Sequence, residues 1–187
     1  MNDEIDKLIE ILHSGGLILY PTDTVWGIGC DATNETAVEK IYRIKKRAET
    51  KSMLVLTDSP EKLDIYVEKI PTMAWELIKL AAKPLTIIYP KGRNLARNLV
   101  GEDGSIGIRI TCEEFSKKIC ERFQKPIVST SANVSGEKSP TFFDEISNEI
   151  KNGVDYIVHY RRNDKTQTLP SSIVKLDLEN TVKIIRE

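Results

Sequence analysis

Residues 126–136 read Pro-Ile-Val-Ser-Thr-Ser-Ala-Asn-Val-Ser-Gly, and the rest of the chain is best understood outward from them. The apolar start, Pro126 to Val128, predicts a buried strand. After it come Ser129-Thr130-Ser131-Ala132-Asn133-Val134-Ser135-Gly136, a crowd of hydroxyls with an amide and a glycine. Such a loop presents many hydrogen-bonding groups and little bulk, so a polar ligand can approach the backbone closely. Thr141, after Ser139-Pro140, is expected to cap a helix opening at Phe142. A strand, a polar loop and a helix N-terminus together favour an anion. The plain alternative is a serine-rich surface turn.

The pattern recurs near the start of the chain. Leu17-Ile18-Leu19-Tyr20, bounded by Gly15-Gly16 and Pro21, reads as a second buried strand. It leads into Pro21-Thr22-Asp23-Thr24-Val25-Trp26-Gly27-Ile28-Gly29, where threonines supply hydroxyls and glycines permit tight geometry. Two hydroxyl-rich loops at strand ends suggest two walls of one cleft, since ligands of α/β proteins gather outside strand termini.

Between and beyond these loops, helical and strand periods alternate. Ile5, Leu8, Ile9 and Leu12 share a helical face that Gly15-Gly16 ends. Thr33 or Asn34 is placed to cap a helix striped by Ala37, Val38, Ile41 and Ile44. Met53 to Leu56 predicts a strand, and Ser59-Pro60-Glu61 a helix start. Pro71 starts a helix whose Trp75, Ile78 and Leu80 read as core. Pro84 to Tyr89 and Ser105 to Ile110 read as strands, the second alternating polar and apolar residues. Ile119 and Phe123 mark a helix; Val154–Val158, Ile173–Leu176 and Val182–Ile185 are further strands. This order predicts one α/β domain over residues 1–187, built on a mixed sheet.

Charge and cysteine usage narrow the function classes. The 27 Lys and Arg nearly balance 28 Asp and Glu over 187 residues, a net charge of −1. Bulk attraction to nucleic acid is thereby disfavoured, and any such binding must use a local patch. Cys30, Cys112 and Cys120 form no CxxC pair, and His13 and His159 stand away from other ligands. Neither a disulfide framework nor a protein metal site is expected. The acidic start Met-Asn-Asp-Glu is unlike a signal peptide, and no apolar run has membrane length. A soluble, cytoplasmic protein is expected, with no membrane partner.

Some charges look placed. Arg43, Lys45, Lys46, Arg47 and Lys51 cluster where the second helix should end. Cations there complement the helix dipole by about 0.3–1 kcal/mol each, which is one reading. The other is a clamp for a polyphosphate or carboxylate, because the cluster follows the threonine-rich loop closely. Arg109, on a strand with apolar neighbours, needs a counter-anion from the chain or from a ligand. No catalytic triad, Walker glycine loop or HExxH is present, so chemistry must come from positioning and charge stabilisation.

YPTDTVWGIGCDA (20–32), IYRIKKR (41–47), KPLT (83–86), SIGIRI (105–110) and STSANVSGEKSPT (129–141) resemble the YrdC-like family, in that family's order. PSSIVKLD (170–177) and the terminal IIRE (184–187) resemble its closing strand and arginine. The resemblance covers nearly the whole chain and is to the single-domain members. It implies a YrdC-like fold, a twisted mixed β-sheet flanked by helices with a large, positively lined concave cavity. It also implies threonylcarbamoyl-adenylate synthase activity. L-threonine, bicarbonate and ATP are joined, pyrophosphate leaves, and a separate tRNA threonylcarbamoyl transferase complex uses the product. ATP is then a substrate carrying its own Mg²⁺.

The family pattern implies threonine against Thr24, Arg109, Ser131 and Ser171, with Arg109 on the amino-acid carboxylate. It implies the nucleotide against Lys45, Arg47, Lys51, Ser105, Asn133, Thr141 and Arg186. The catalytic group implied is Lys45, Arg47, Ser131 and Asn133, the family's Lys-x-Arg and Ser-x-Asn signatures, closest to the reacting carbonate and phosphates. Four segments depart from the pattern. Lys45-Lys46-Arg47-Ala48 and Lys51-Ser52-Met53 replace KGRP and NPL or KPL; Ala82-Lys83-Pro84-Leu85-Thr86 replaces PGPLT; Ser171-Ser172-Ile173 replaces STV. The YciO-like branch lacks an intact Lys-x-Arg, which this chain keeps. The rival reading is a translation-associated module that binds tRNA or double-stranded RNA without turnover.

Overall fold

A computed structural model describes residues 1–48 and 52–187. The first helix, α1 (Asn2–His13), carries Asp3 and Glu4 in its first turn, where acidic groups oppose the dipole, and buries Ile5, Leu8 and Leu12. Each such side chain contributes about 1.5–3 kcal/mol by leaving water. After β1 (Ile18–Tyr20) and β2 (Gly27–Gly29), α2 (Glu35–Lys45) opens on Asn34, whose side chain accepts from the Ala37 N–H. The elements that follow are β3 (Leu54–Thr57), α3 (Leu63–Tyr66), α4 (Thr72–Leu80), β4 (Leu85–Tyr89) and β5 (Ile106–Ile110). The last are α5 (Glu114–Phe123), β6 (Ile127–Ser131), α6 (Asn148–Gly153), β7 (Tyr156–Ile157), β8 (Ser172–Leu176) and β9 (Val182–Arg186).

Among the described residues the strands form one nine-stranded sheet in the order β7-β1-β2-β6-β3-β5-β4-β8-β9. The pairs β1/β7, β3/β5 and β4/β8 are parallel and the other neighbours antiparallel, the mixed sheet expected from the sequence. One face carries the larger core: Val55, Ile87, Tyr89, Ile106, Ile108 and Val128 pack with Val38 and Ile41 of α2. On the other face, Ile18, Tyr20, Leu56 and Ile127 meet α1 and α5 through Leu8, Leu12, Phe115 and Ile119. Strands buried on both sides explain the apolar runs of the sequence. None of the described helices is long and apolar enough to cross a membrane.

Several expectations are corrected. Ser129-Thr130-Ser131 is the end of strand β6, not a loop, because β2 and β3 pair with it on either side. Gly27–Gly29 is a strand in what read as a loop; a Cβ on Gly29 would lie 2.8 Å from the Tyr20 ring and from the Val128 carbonyl. No helix opens at Phe142 under a Thr141 cap. A single 3₁₀ turn occupies Phe143–Glu145, and the Thr141 N–H donates to Glu145 Oε2 at 2.6 Å. Ala74 is the buried residue of α4, whereas Trp75 and Leu80, read as core, are exposed.

Candidate active site

The face covered by α1 and α5 continues past those helices, and there it is hollow. A cavity of about 310 Å³ lies on the exposed floor of β2, β6, β3, β5, β4 and β8. The two-residue period of the strands builds it. In β5, Ile106 and Ile108 enter the core while Gly107, Arg109 and the preceding Ser105 line the cavity. In β4, Ile87 and Tyr89 turn inward while Thr86 and Ile88 line it. Ser171 and Ile173 at β8 follow the same rule, whereas at the end of β6 Ser129, Thr130 and Ser131 all border the cavity. A Cβ on Gly107 would meet Leu54 and Thr86 at an ordinary 3.5 Å, so the fold itself does not demand glycine there. Its absence of a side chain leaves the floor open.

Three guanidinium groups converge on this floor: Arg47, Arg109 and Arg186. Arg109 is buried beside the carboxylate of Asp23, at 3.1 Å. The pair is an ion contact without hydrogen-bond alignment, since Asp23 Oδ1 and Arg109 Nε both stay unpartnered and buried. Burial pushes the Asp23 carboxyl above its usual range, although Arg109 pulls the other way. Arg186 donates from Nε and Nη2 to the Ser171 carbonyl at 2.9 and 2.8 Å. Its pKa is lowered first by desolvation and then by Arg109, a like charge across the cavity. Such a cluster in a low-dielectric hollow attracts anions.

The basic cluster at the end of α2 splits four ways. Arg43 pairs with Glu39 and Lys46 with Glu149, both on the surface. Lys46 takes a left-handed conformation (φ 48°), which swings the chain so that Lys45 and Arg47 diverge. Lys45 is buried and donates from Nζ to the carbonyls of Ser131 (2.5 Å) and Asn133 (2.6 Å). Burial, and then Arg47, lower its pKa to about 8. Arg47 reaches the cavity, where Nη2 donates to the Ser52 carbonyl at 2.9 Å.

Of the residues singled out from sequence, Thr24, Arg47, Ser105, Arg109, Ser131, Ser171 and Arg186 line the cavity together. Lys45 stands behind the wall, tethering β6. Asn133 does not face the cavity alongside Ser131. Its Nδ2 donates to the carbonyls of Val134 and Glu137, at 2.9 and 2.8 Å, and so closes the loop on itself. Ala132 between them is buried. Thr141 does not line the cavity but lies in a small adjoining crevice with Arg161, Thr166 and Thr168, which shares Thr22, Thr24 and Val25 with it. Lys51 lies outside the described residues. Sequence reasoning gave Thr86 no role, left Ser129 unassigned within the hydroxyl-rich run, and missed the partner of Arg109, Asp23. Thr86 follows from strand alternation, whereas Asp23 had no period to reveal it.

The mixed sheet thus carries an arginine-lined, hydroxyl-rich hollow whose charge attracts anions, and among the described residues no His, Cys, Asp or Glu lines it. The chain belongs to the Sua5/YciO/YrdC family, whose model, described as "Telomere recombination", matches residues 10–187. It is 34% identical over 178 residues to the threonylcarbamoyl-AMP synthase of Pseudoalteromonas translucida (strain TAC 125), covering 92% of this chain and 94% of that protein. The structure superposes on P. abyssi Sua5 complexed with L-threonine with a TM-score of 0.82 and 27% identity. That match covers 92% of this chain and 50% of the other, so the chain spans about half of that longer protein. E. coli YciO gives a TM-score of 0.84 at 25% identity, covering 100% of this chain and 90% of that one.

Proposed function

We propose that this protein is a threonylcarbamoyl-AMP synthase, joining L-threonine, bicarbonate and ATP into threonylcarbamoyl-adenylate with release of pyrophosphate. The observation that carries the reading is the convergence of Arg47, Arg109 and Arg186 on one hydroxyl-lined floor. A reaction that brings a carboxylate, a carbonate and a triphosphate together needs such a set of charges. The relatives named threonylcarbamoyl-AMP synthase support the reading over an RNA-binding module. So does the placement of charge: Arg47, Arg109 and Arg186 gather in one hollow, while the surface cations Arg43, Lys46, Arg122, Lys165 and Lys175 each pair with a carboxylate.

In this reading bicarbonate takes up a proton and loses water to give CO₂, and the threonine nitrogen bonds to its carbon and gives up a proton, forming a carbamate. A carbamate oxygen then attacks the α-phosphorus in line, the bond to the bridging oxygen breaks, and pyrophosphate leaves. Arg109 holds the threonine carboxylate, with its unpartnered Nε the donor still to be used. Thr24, Ser131 and Ser171 orient the amino acid by their hydroxyls; Arg47, Ser105 and Arg186 take the phosphates. Their task is positioning and neutralising charge as it shifts toward the leaving group. A divalent ion, where needed, arrives on the nucleotide and supplies further charge neutralisation there. The mixed anhydride so made is suited to a tRNA threonylcarbamoyl transferase complex, in the cytoplasm.

The test is ligand logic. Pyrophosphate release from ATP is expected to require threonine and bicarbonate together, with serine poorer by about 10–200-fold for the missing methyl group. Release at an equal rate without threonine would leave a plain nucleotidase and end the proposal.

A further inference from the structure

Thr86 stands at a junction of the cavity floor. Its cross-strand partners are Arg109 on β5 and Ile173 on β8. Its Oγ1 lies 2.9 Å from Ser171 Oγ, and both residues are 1% exposed. The same Ser171 is gripped from the opposite side by Arg186, through Nε and Nη2 to its carbonyl and through Nη2 to its hydroxyl at 3.3 Å. These groups form an unbroken line from the arginine assigned to the nucleotide, through the serine assigned to threonine, to the strand beside Arg109.

The donor inventory fixes part of the polarity along that line. A guanidinium has no acceptor, so Arg186 donates and Ser171 Oγ accepts. A hydroxyl has one proton and two lone pairs, and Ser171, 1% exposed, offers them only to its neighbours and to whatever occupies the cavity. While Arg186 occupies one lone pair, Ser171 meets an amino acid with its proton or its second lone pair, according to what Thr86 takes. Once Arg186 turns toward a phosphate, that lone pair is released, and Thr86 is the remaining neighbour among the described residues that keeps the hydroxyl aligned. Leaving it unpaired would carry the penalty of any buried polar group.

Resting on the synthase reading, we infer that Arg186, Ser171 and Thr86 form a hydrogen-bonded relay through which the nucleotide and threonine subsites bias each other's occupancy. Thr86 is its positioning residue, acting through Ser171. The relay adds a requirement that two independent subsites lack. Threonine affinity depends on whether nucleotide is bound, and by reciprocity nucleotide affinity depends equally on threonine.

The experiment is calorimetric titration of the full chain with L-threonine, alone and with a saturating non-hydrolysable ATP analogue. For the wild type the two dissociation constants are expected to differ by about fivefold or more, the lower range of ordinary site-to-site coupling. Thr86→Val, isosteric but without the hydroxyl, is expected to bring the ratio below about twofold and to raise the threonine KM more than it lowers kcat. Thr86→Ser should restore both, and melting curves establish that each variant is folded. A merely structural Thr86 would alter stability and leave the ratio in place. A Thr86→Val protein with the wild-type ratio, or a wild type whose ratio is one, overturns the relay. A wild type that turns over all three substrates but shows no coupling removes the relay alone, whereas one that binds neither ligand removes the synthase reading with it.

Discussion

Lys45→Met separates a tether from a ligand clamp. The side chains are similar in length, so the substitution removes the ammonium and leaves most of the apolar packing. In the wild type, Nζ serves two carbonyls, those of Ser131 and Asn133. The Ser131 carbonyl also accepts from the Asn133 N–H at 2.9 Å and so keeps a partner in the variant. The Asn133 carbonyl loses its lysine donor. One under-satisfied carbonyl costs about 1–3 kcal/mol, and that is the destabilisation expected at pH 7. The pH dependence follows from the lowered pKa. The folded Lys45 titrates at about 8 and the unfolded one near 10.5, so between those values the unfolded chain holds a proton that the folded chain has released. Stability of the wild type therefore rises with pH across that window, by up to about 3 kcal/mol relative to a variant with nothing to titrate there. Below pH 8 both states are protonated and the difference is constant. Urea unfolding of both proteins at intervals from pH 7 to 10.5 measures it. A gap that stays flat or narrows above pH 8 would refute the argument that burial, and Arg47 behind it, strip Lys45 of its proton.

Three further outcomes are expected. Arg47→Ala should lower turnover about 100-fold or more with little change in melting temperature, and Arg47→Lys should rescue poorly because a point charge cannot replace a planar fork; normal turnover by Arg47→Ala would remove it from the site. Asn133→Ala should cost about 1–3 kcal/mol of stability, because the amide closes its own loop, and leave ATP affinity nearly unchanged by calorimetry. Gly107→Ala should melt close to the wild type, since its Cβ meets only ordinary contacts, yet bind threonine or nucleotide more weakly because the methyl rises from the cavity floor; unaltered binding in titration would contradict that placement.

Much of this architecture is legible in local patterns. The alternation Ser105-Ile106-Gly107-Ile108-Arg109 specifies which side of β5 is core and which is cavity. The stripe of α2 could be read directly and its cap narrowed to Thr33 or Asn34, because both depend on neighbours within one turn; Asn34 is the one used. What escaped depends on distant partners. Gly27–Gly29 has poor strand propensity and is a strand only because β1 and β6 pair with it. Trp75 and Leu80 have a core-like spacing, but α4 buries only Ala74, so their exposure is set by how the helix lies on the sheet. At the site, the arginines announced themselves by chemical type. The diversion of Lys45 and Asn133 into backbone contacts turned on the left-handed Lys46 and on loop closure, neither of which has a spacing to betray it.

The walls of the cavity come from residues as far apart as Thr22 and Arg186, and from seven strands of one continuous sheet. Such a hollow has no local precursor. Its arginines meet only after pairings that span most of the chain have formed, and long-range pairings of this kind are slow to assemble. A ligand in it consequently recognises the completed sheet and nothing less. By mass action, a ligand present at 100 times its dissociation constant adds about 2.7 kcal/mol to the stability of the state that binds it. Here that increment falls on the whole fold. Substrate supply and protein lifetime are thereby linked: a starved chain opens more often to proteases than a saturated one, with no regulatory element required.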